Sequence, residues 1–506
     1  HFLYEKTQTC LEVTQLGWQK AGFWAWSNGI FNGKFTKLDE NGIVTYNDIN
    51  YYIPATSNIF SSEENLFVSE RKFKYKEGKI TLYDYSHKLI DVYGDNAIIG
   101  LCFYFATLFR DYLVNIFGWF PILNLFGPKG AGKTELAISL LQFFGPQSKG
   151  PNITNTTKPG LADHVAIFSN ALVHIDEYKN NIEYEKIEFL KGLWDLMGRT
   201  RMNMDKDKKK ETTSVDVGVI VSGQEMPTAD IALFSRLIFC SFTKVEYTDS
   251  EKLMFNELKE IEKKGISHIT HEILQHREYF KENFKENYEA ASAELNNEIN
   301  GAVIEDRIFK NWLLVIAVYR TLKDKITIWM EYQEVVKLAG SLILRQNQET
   351  KKNNELSIFW GIVEFLYRDN QLREDEDFKV DFVTKLKTDK VNSDWSEPKT
   401  VIYLNHTRIF QLYRLHGQKT KENILPLKTL EYYLMNNKTY FGKKPSVAFK
   451  IRQENLQEPE STKRFVTSAM AFDYEAIGIN LVNTGDSEEE PRRLNSPKEA
   501  TEKLPF

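Results

Sequence analysis

Residues 122–134 have the residue types and spacing of a phosphate-binding loop. A short apolar run leads into Gly-x-x-x-x-Gly-Lys-Thr, and a helix-forming run follows at once. Glycines let the backbone N–H groups approach phosphate oxygens, and a helix that begins there adds the positive end of its dipole. The lysine can reach the β- and γ-phosphates, and the next hydroxyl can bind Mg²⁺. The alternative is a glycine-rich turn that matches by chance. The predicted nucleoside triphosphate site consists of Gly127, Pro128, Lys129, Gly130, Ala131, Gly132, Lys133, Thr134 and Glu135.

A second chemical element follows further along the chain, where the apolar run 171–175 ends in Asp176 and Glu177. An apolar strand that ends in adjacent acids is the Walker B pattern. Asp176 would hold Mg²⁺, directly or through water, opposite Thr134. Glu177 would polarise the attacking water as a general base. The alternative is a strand that ends in two surface acids, which the preceding phosphate loop disfavours.

Arg236 stands between a predicted helix and an apolar strand, 237–242. From there an arginine can reach the nucleotide of a neighbouring subunit and stabilise the transferring phosphoryl group, an effect of about 10³–10⁵ in rate. The alternative is an ion pair within its own subunit. A polar residue at the end of the preceding strand, 217–221, can sense the γ-phosphate.

Residues 198–216 form a polar excursion whose alternating residues flank a charged tip, which is typical of a hairpin. Such a finger could direct lysines at a phosphate backbone, whereas the alternative is a solvated loop. The candidate DNA-binding residues at this tip are Lys206, Lys208, Lys209 and Lys210.

The elements that must position these residues alternate between strands and helices. Aromatic residues between turn signals predict strands before residue 85, including a pair at 73–75 and 80–83, and helical spacing then runs from 87 to 118. In the C-terminal part, the order helix, strand, helix, helix, hairpin favours a winged-helix domain. The predicted organisation is a β-rich N-terminal domain (1–86), an α/β core (87–248), a helical lid or linker (249–352), a winged-helix-like basic domain (353–483) and a disordered tail (484–506).

Composition sets broad limits on the class of protein. The 506 residues are 42% hydrophobic and 13% aromatic, which is ample for sizeable cores, and the net charge of −5 does not by itself indicate a nucleic-acid binder. The three cysteines are far apart, so we expect neither disulfides nor a zinc ribbon, and a cytoplasmic location is the default. The most membrane-like stretch, 97–109, is too short to span a bilayer, so we expect no membrane contact.

Residues 399–452 are strongly basic, unlike the chain as a whole. This stretch contains eleven lysines and arginines against two glutamates, a net of +9 within an acidic chain. Such asymmetry is expected of a surface that contacts a phosphate backbone, although a basic protein-interaction surface is the alternative.

Taken together, residues 87–245 resemble the AAA+ ATPases of superfamily 3 and minichromosome-maintenance-like helicases of phages, plasmids and mobile elements. The resemblance rests on the phosphate loop, Asp176-Glu177, the lysine-rich hairpin and Arg236, in that order. It implies a P-loop core that uses ATP and Mg²⁺, a homo-hexameric ring with nucleotide at subunit interfaces, and single-stranded or forked DNA as partner. Those families end the sensor strand in Asn, whereas this chain offers Gln224 first and Ser222 second as γ-phosphate sensor.

The predicted function is an ATP-dependent DNA helicase or translocase in the replication of a phage, plasmid or mobile element. Because the chain begins at His1, an upstream primase or polymerase domain is an additional expectation. One alternative is an AAA+ ATPase that remodels proteins or acts in defence signalling without unwinding DNA. Another is an initiator that melts an origin without processive unwinding.

Overall fold

The computed structural model describes residues 9–197, 200–202, 210–212, 215–228, 230–244, 246–352, 355–420, 424–450 and 464–481. The chain divides into two compact units, His1–Asn353 (unit 1) and Asn354–Phe506 (unit 2). The predicted mixture of helices and sheets is confirmed. The finer division into domains stays a prediction, and the predicted disordered tail, 484–506, lies outside the described residues.

Unit 1 contains most of the secondary structure. Its strands are β1 (Cys10–Glu12), β2 (Leu16–Trp18), β3 (Trp24–Trp26), β4 (Gly29–Phe31), β5 (Phe35–Lys37), β6 (Ile43–Tyr46), β7 (Ile49–Tyr52), β8 (Ile122–Phe126), β9 (Phe168–Ser169), β10 (Leu172–Tyr178), β11 (Thr200–Met202), β12 (Lys210–Thr212), β13 (Gly218–Gly223) and β14 (Leu237–Ser241). Its helices are α1 (Val68–Lys72), α2 (Leu82–Tyr93), α3 (Asp95–Leu108), α4 (Arg110–Phe117), α5 (Lys133–Leu141), α6 (Lys158–Val165), α7 (Tyr184–Trp194), α8 (Ile231–Phe234), α9 (Asp249–Lys264), α10 (Ser267–Leu274), α11 (Arg277–Glu298), α12 (Asp306–Leu322) and α13 (Tyr332–Lys352).

A four-stranded parallel sheet in the order β10-β13-β8-β14 forms the centre of unit 1. Its strands are almost fully buried, as their near-continuous apolar sequences predict for a parallel sheet covered by helices. The strands β8, β13 and β10 are parallel neighbours with β13 in the middle, so the residues that follow them meet at the edge formed by the carboxyl ends of the strands. Ligands of parallel α/β sheets bind at such an edge.

The N-terminal strands share a sheet and a hydrophobic core with the rest of unit 1. The sheet order is β5-β4-β3-β2-β9, so the short strand before β10 completes it. Trp24 and Trp26 are fully buried, and the Trp26 indole donates to His271 Nε2 (2.8 Å) on α10. The aromatic residues of this region therefore pack as a core.

The predicted strand pair at 73–75 and 80–83 is wrong. Residues 73–81 contain no strand, and helix α2 begins at Leu82, capped by the Thr81 side chain, which accepts from the Asp84 N–H. The backbone N–H and C=O of Tyr75 bond to the Asn28 side chain. Partners remote in sequence therefore replace the ladder that the local pattern predicted.

The predicted hairpin is present as an antiparallel pair, β11 and β12, with Met202 opposite Lys210. Lys210 belongs to β12, whereas Lys206, Lys208 and Lys209 lie outside the described residues. Among the described residues, no single helix is long and apolar enough to cross a membrane; only α3 and α4 together meet that criterion, with a 79° bend between them. Most of α3 is buried in the core of unit 1.

Unit 2 is an antiparallel sheet with helices and has its own hydrophobic core. The sheet order is β15-β16-β18-β17, and the end of β16 pairs with the end of β18. The predicted order of helices and strands is found, with β15 as a strand that the sequence analysis missed. The elements are α14 (Glu355–Arg368), β15 (Phe378–Lys387), β16 (Asn392–Leu404), α15 (His406–Thr420), α16 (Leu427–Asn436), β17 (Tyr440–Lys450), β18 (Arg464–Asp473) and α17 (Tyr474–Ile477).

Candidate functional site

The glycine-rich loop connects β8 directly to α5. Gly127, Gly130 and Gly132 have φ values of +148°, +83° and +87°, which side chains disfavour. A Cβ on Gly127 would lie 2.1 Å from the Phe242 carbonyl oxygen, so only glycine fits there. Helix α5 begins at Lys133, so its first N–H groups face the loop. Such a loop suits an anion.

The Lys133 side chain lies across this loop and is only 8% exposed. Its Nζ donates to the carbonyl oxygens of Gly127 (2.8 Å) and Pro128 (2.7 Å). Burial lowers the pKa of Lys133, and the nearby carboxylates of Asp176 and Glu177 oppose that shift. The loop therefore contains an ammonium group within reach of an anion that would bind there.

Asp176 and Glu177 occupy the end of β10, where the pairing with β13 is irregular. Asp176 is buried, and its Oδ1 accepts from the Glu177 N–H (2.9 Å) and from the Ser222 hydroxyl. Glu177 has φ +62°, a left-handed conformation that costs a non-glycine residue about 1–2 kcal/mol. Such strain is concentrated at functional sites.

The residues present fit a Mg²⁺ ion. All hydrogen bonds that the described residues make to the Asp176 carboxylate end on Oδ1; the Lys149 Nζ lies 3.9 Å from Oδ2. Asp176 Oδ2 and the half-buried Thr134 hydroxyl would hold the ion. No group of three or more His, Cys, Asp or Glu side chains suited to a metal occurs among the described residues. This set of ligands suits Mg²⁺, which binds one or two protein oxygens together with waters and phosphates.

The two candidate γ-phosphate sensors differ in burial and in their contacts. Ser222 is fully buried in β13 and contacts Asp176, whereas Gln224 is exposed just beyond the end of that strand. The neighbouring His174, which the sequence analysis missed, contacts the Ser222 hydroxyl through Nε2 (2.8 Å). Burial lowers the pKa of His174 to about 4, so its imidazole is neutral at physiological pH.

A cavity of about 750 Å³ adjoins the glycine-rich loop. Residues 90–94, 130–132, 241–244 and the start of α9 line it. Tyr93 and Tyr247 both approach the Gly132 backbone, where an added Cβ would lie 3.7 Å from each side chain. The lining is mixed and includes aromatic side chains together with Glu135 and Lys244. Sequence reasoning missed the cavity because segments far apart in the chain form it.

Arg236 makes contacts within its own subunit. Its Nη2 lies 3.3 Å from Asp195 Oδ2, and its guanidinium carbon lies 5.4 Å from the centre of the Trp194 ring. Arg236 is 9% exposed, and its Nε has no hydrogen-bond partner among the described residues. The arrangement matches the within-subunit alternative, and a contact with a neighbouring subunit stays a prediction.

The basic stretch of unit 2 is partly neutralised by acids from outside residues 399–452 and, in one pair, by Glu431 within it. The ion pairs are Lys399–Asp473, Arg408–Asp377, Lys443–Glu431 and Lys450–Asp375. Within the described part of the chain, several basic residues of this stretch have no ion pair, and Lys421 and Arg452 lie outside that part. Those without an ion pair are Arg414, Lys419, Lys428, Lys438 and Lys444.

Comparison with known proteins gives a fold-level result. No family model and no curated protein matches the chain. It is similar to a solved structure described as an SCCmec type IV Cch active helicase, with a TM-score of 0.51 and 10% identity over 79% of this chain and 72% of that one. The apo C-terminal region of NrS-1 matches with 12% identity over 61% and 77% of the two chains, but its TM-score of 0.23 is too low to support an argument. The first likeness shows a helicase-like fold.

Proposed function

We propose that this protein is an ATP-dependent DNA helicase or translocase with a P-loop AAA+ core of the superfamily 3 or minichromosome-maintenance-like type. The observation that carries the proposal is the strand order: β13 lies between β8 and β10, so the loop that holds Lys133 and the acids Asp176 and Glu177 share one sheet edge. A triphosphate on the loop would lie beside both acids.

Each residue at this edge has a distinct role in the proposed hydrolysis. Lys133 would exchange its two carbonyl contacts for phosphate oxygens, a stronger charge-assisted interaction. Thr134 and Asp176 would hold Mg²⁺, which neutralises charge on the phosphates. Glu177 would accept a proton from the attacking water. Ser222 would report on the γ-phosphate through its contact with Asp176.

The cavity beside the loop is the proposed site for the base and ribose of ATP. Gly130–Gly132 form part of its lining, and Tyr93 and Tyr247 contribute aromatic side chains against which a purine could pack. Its volume is in the range of small-molecule sites, about 300–1,000 Å³.

DNA is the proposed partner for two reasons. The similar solved structure is described as an active helicase, and the antiparallel pair β11–β12 occurs between α7 and β13, with Lys210 on β12 and with Lys206, Lys208 and Lys209 in the sequence that connects the two strands, outside the described residues. We further propose that unit 2 is a winged-helix-like module in which α16 and the β17–β18 hairpin contact DNA. The basic residues without an ion pair in α15, α16 and β17 support this proposal.

Stimulation of ATP turnover by DNA tests the proposed function. Turnover is expected to rise when single-stranded or forked DNA is added, and DNA binding is expected to weaken steeply with salt because lysines and arginines displace counterions. Unchanged turnover without salt-dependent binding would contradict the helicase proposal and favour an AAA+ ATPase that remodels proteins or acts in defence signalling. Stimulated turnover without strand displacement would instead favour an origin-melting initiator.

A further inference from the structure

We propose that His174 is a positioning residue that, through the Ser222 hydroxyl, orients the Asp176 carboxylate so that Oδ2 is offered to the nucleotide-bound metal. The proposal rests on the proposed ATPase function. It concerns a buried histidine on β10 that has no part in the phosphate loop, the paired acids or the arginine described above.

The hydrogen bonds form one directed chain. The Gly150 N–H donates to His174 Nδ1 (3.1 Å), and His174 Nε2 lies 2.8 Å from Ser222 Oγ. The Ser222 hydroxyl in turn donates to Asp176 Oδ1. His174 and Ser222 are both almost completely buried, at 1% and 0% exposure, so water does not compete for these bonds.

The backbone amide fixes the direction of every proton in this chain. Nδ1 accepts the Gly150 N–H and therefore carries no proton, so the ring proton is on Nε2. Nε2–H then donates to Ser222 Oγ, so the Ser222 hydroxyl directs its own proton to Asp176. His174 therefore determines that the hydroxyl of Ser222 acts as a donor toward the carboxylate.

The consequence is an asymmetric carboxylate. Oδ1 of Asp176 accepts two protein hydrogen bonds, from Ser222 and from the Glu177 N–H, whereas its Oδ2 accepts none from the described residues. Partners of this kind orient a metal-holding group, and their loss typically costs about 10–100-fold in metal affinity. Without His174, the Ser222 hydroxyl could rotate away from Asp176, and the Glu177 N–H would be left as the remaining hydrogen bond to Oδ1 from the described residues.

The test measures binding of a non-hydrolysable ATP analogue to the full chain with Mg²⁺ and with EDTA. The ratio of the two dissociation constants gives the metal-dependent gain in affinity for the analogue. This gain is measured independently of turnover. His174→Phe keeps a ring but removes both nitrogens, so the gain is expected to fall by about tenfold or more while affinity in EDTA is unchanged. His271→Phe, at a buried histidine bonded to Trp26, controls for loss of a buried hydrogen bond and is expected to keep the gain.

Two further comparisons separate positioning from a general structural role. His174→Gln, whose amide reaches toward Ser222, is expected to restore the gain, whereas the shorter His174→Asn, which reaches only toward Gly150, is not. If His174→Phe does not fold, the comparison of His174→Gln with His174→Asn still tests the role of His174. If His174 acts through Ser222, a His174→Phe and Ser222→Ala double variant is expected to be no worse than Ser222→Ala alone.

A full metal-dependent gain in His174→Phe, equal gains in the Gln and Asn variants, or additive losses in the double variant would each overturn the role of His174. Failure of the wild-type chain to bind the analogue would instead overturn the proposed function, and the role of His174 with it.

Discussion

At the residue scale, Glu177 combines a carboxylate with a strained backbone. Its φ of +62° and its N–H bond to Asp176 hold the side chain in a position that an extended strand would not provide. The irregular pairing between Ile175 and Tyr178 turns the chain at this point. Local strain of this kind persists only where surrounding contacts over-determine it.

Replacement of this carboxylate is expected to separate nucleotide binding from hydrolysis. Glu177→Gln is expected to bind ATP with nearly wild-type affinity and to lose about 10²–10⁴-fold in turnover, because a general base contributes about that much. Nucleotide affinity and steady-state phosphate release measure the two quantities. Normal turnover would remove Glu177 from the role of base, and Glu278→Gln, an exposed acid on α11, is the matched control.

Loss of the Lys133 ammonium group is expected to act on nucleotide binding, the step before hydrolysis. Lys133→Ala is expected to weaken ATP binding by at least about tenfold, since hydrogen bonds to charged groups contribute about 1.5–3 kcal/mol. Calorimetric titration with ATP measures the change. Lys310→Ala, which removes an exposed lysine from α12, provides the comparison. Wild-type affinity in Lys133→Ala would show that the phosphates bind elsewhere.

At the element scale, the loop depends on how closely β8 and β14 approach. Gly127 follows β8, and Phe242 follows β14. The Phe242 N–H donates to the Phe126 carbonyl oxygen (2.8 Å). This pairing brings the Phe242 carbonyl against the Gly127 backbone, where no side chain fits. The shape of the loop is thus a consequence of sheet pairing as well as of its own glycines.

A methyl group at Gly127 tests this dependence. Gly127→Ala is expected to destabilise the protein by about 1–3 kcal/mol, as overpacking does, and to weaken nucleotide binding. The thermal unfolding midpoint measures the first effect. Gly118→Ala adds a methyl group at φ +74° with no atom within 4 Å, so it carries the backbone strain without the clash. Equal midpoints for the two variants would contradict the packing argument.

Sequence alone predicted the elements whose patterns are local. The apolar runs of β8, β10, β13 and β14, and the helical spacing of α5 and α7, needed no tertiary information. The segment 73–81 was misread because an Asn28 side chain bonds its backbone. The contact from His174 through Ser222 to Asp176 was missed for a related reason: it exists only because β10 pairs with β13.

At the scale of the whole molecule, the proposed ring requires that Arg236 act on a neighbour. In the subunit described here, its guanidinium instead pairs with Asp195 and packs on Trp194, just before the hairpin strand β11. Action on a neighbouring nucleotide would require Arg236 to exchange Asp195 for phosphate.

Mixing two inactive variants tests whether sites are shared between subunits. Arg236→Ala and Glu177→Gln are each expected to be inactive, and an equal mixture is expected to recover activity at about a quarter of the sites if subunits exchange and assemble randomly. ATP turnover across mixing ratios measures the recovery. A mixture of Lys133→Ala and Glu177→Gln is the control. Both residues are proposed to come from the same subunit at each site, so no recovery is expected there. No recovery, together with equal loss in Asp195→Asn, would favour the within-subunit role of Arg236.

In the proposed function, ATP hydrolysis at the β8–β10–β13 edge drives the separation of DNA strands. The most direct measurement is displacement of a labelled strand from forked DNA by the full chain, with and without ATP. Displacement is expected with ATP and is expected to be lost in Lys133→Ala and Glu177→Gln. Absence of ATP-dependent displacement by a chain that hydrolyses ATP, or displacement that persists in both variants, would contradict the proposed function.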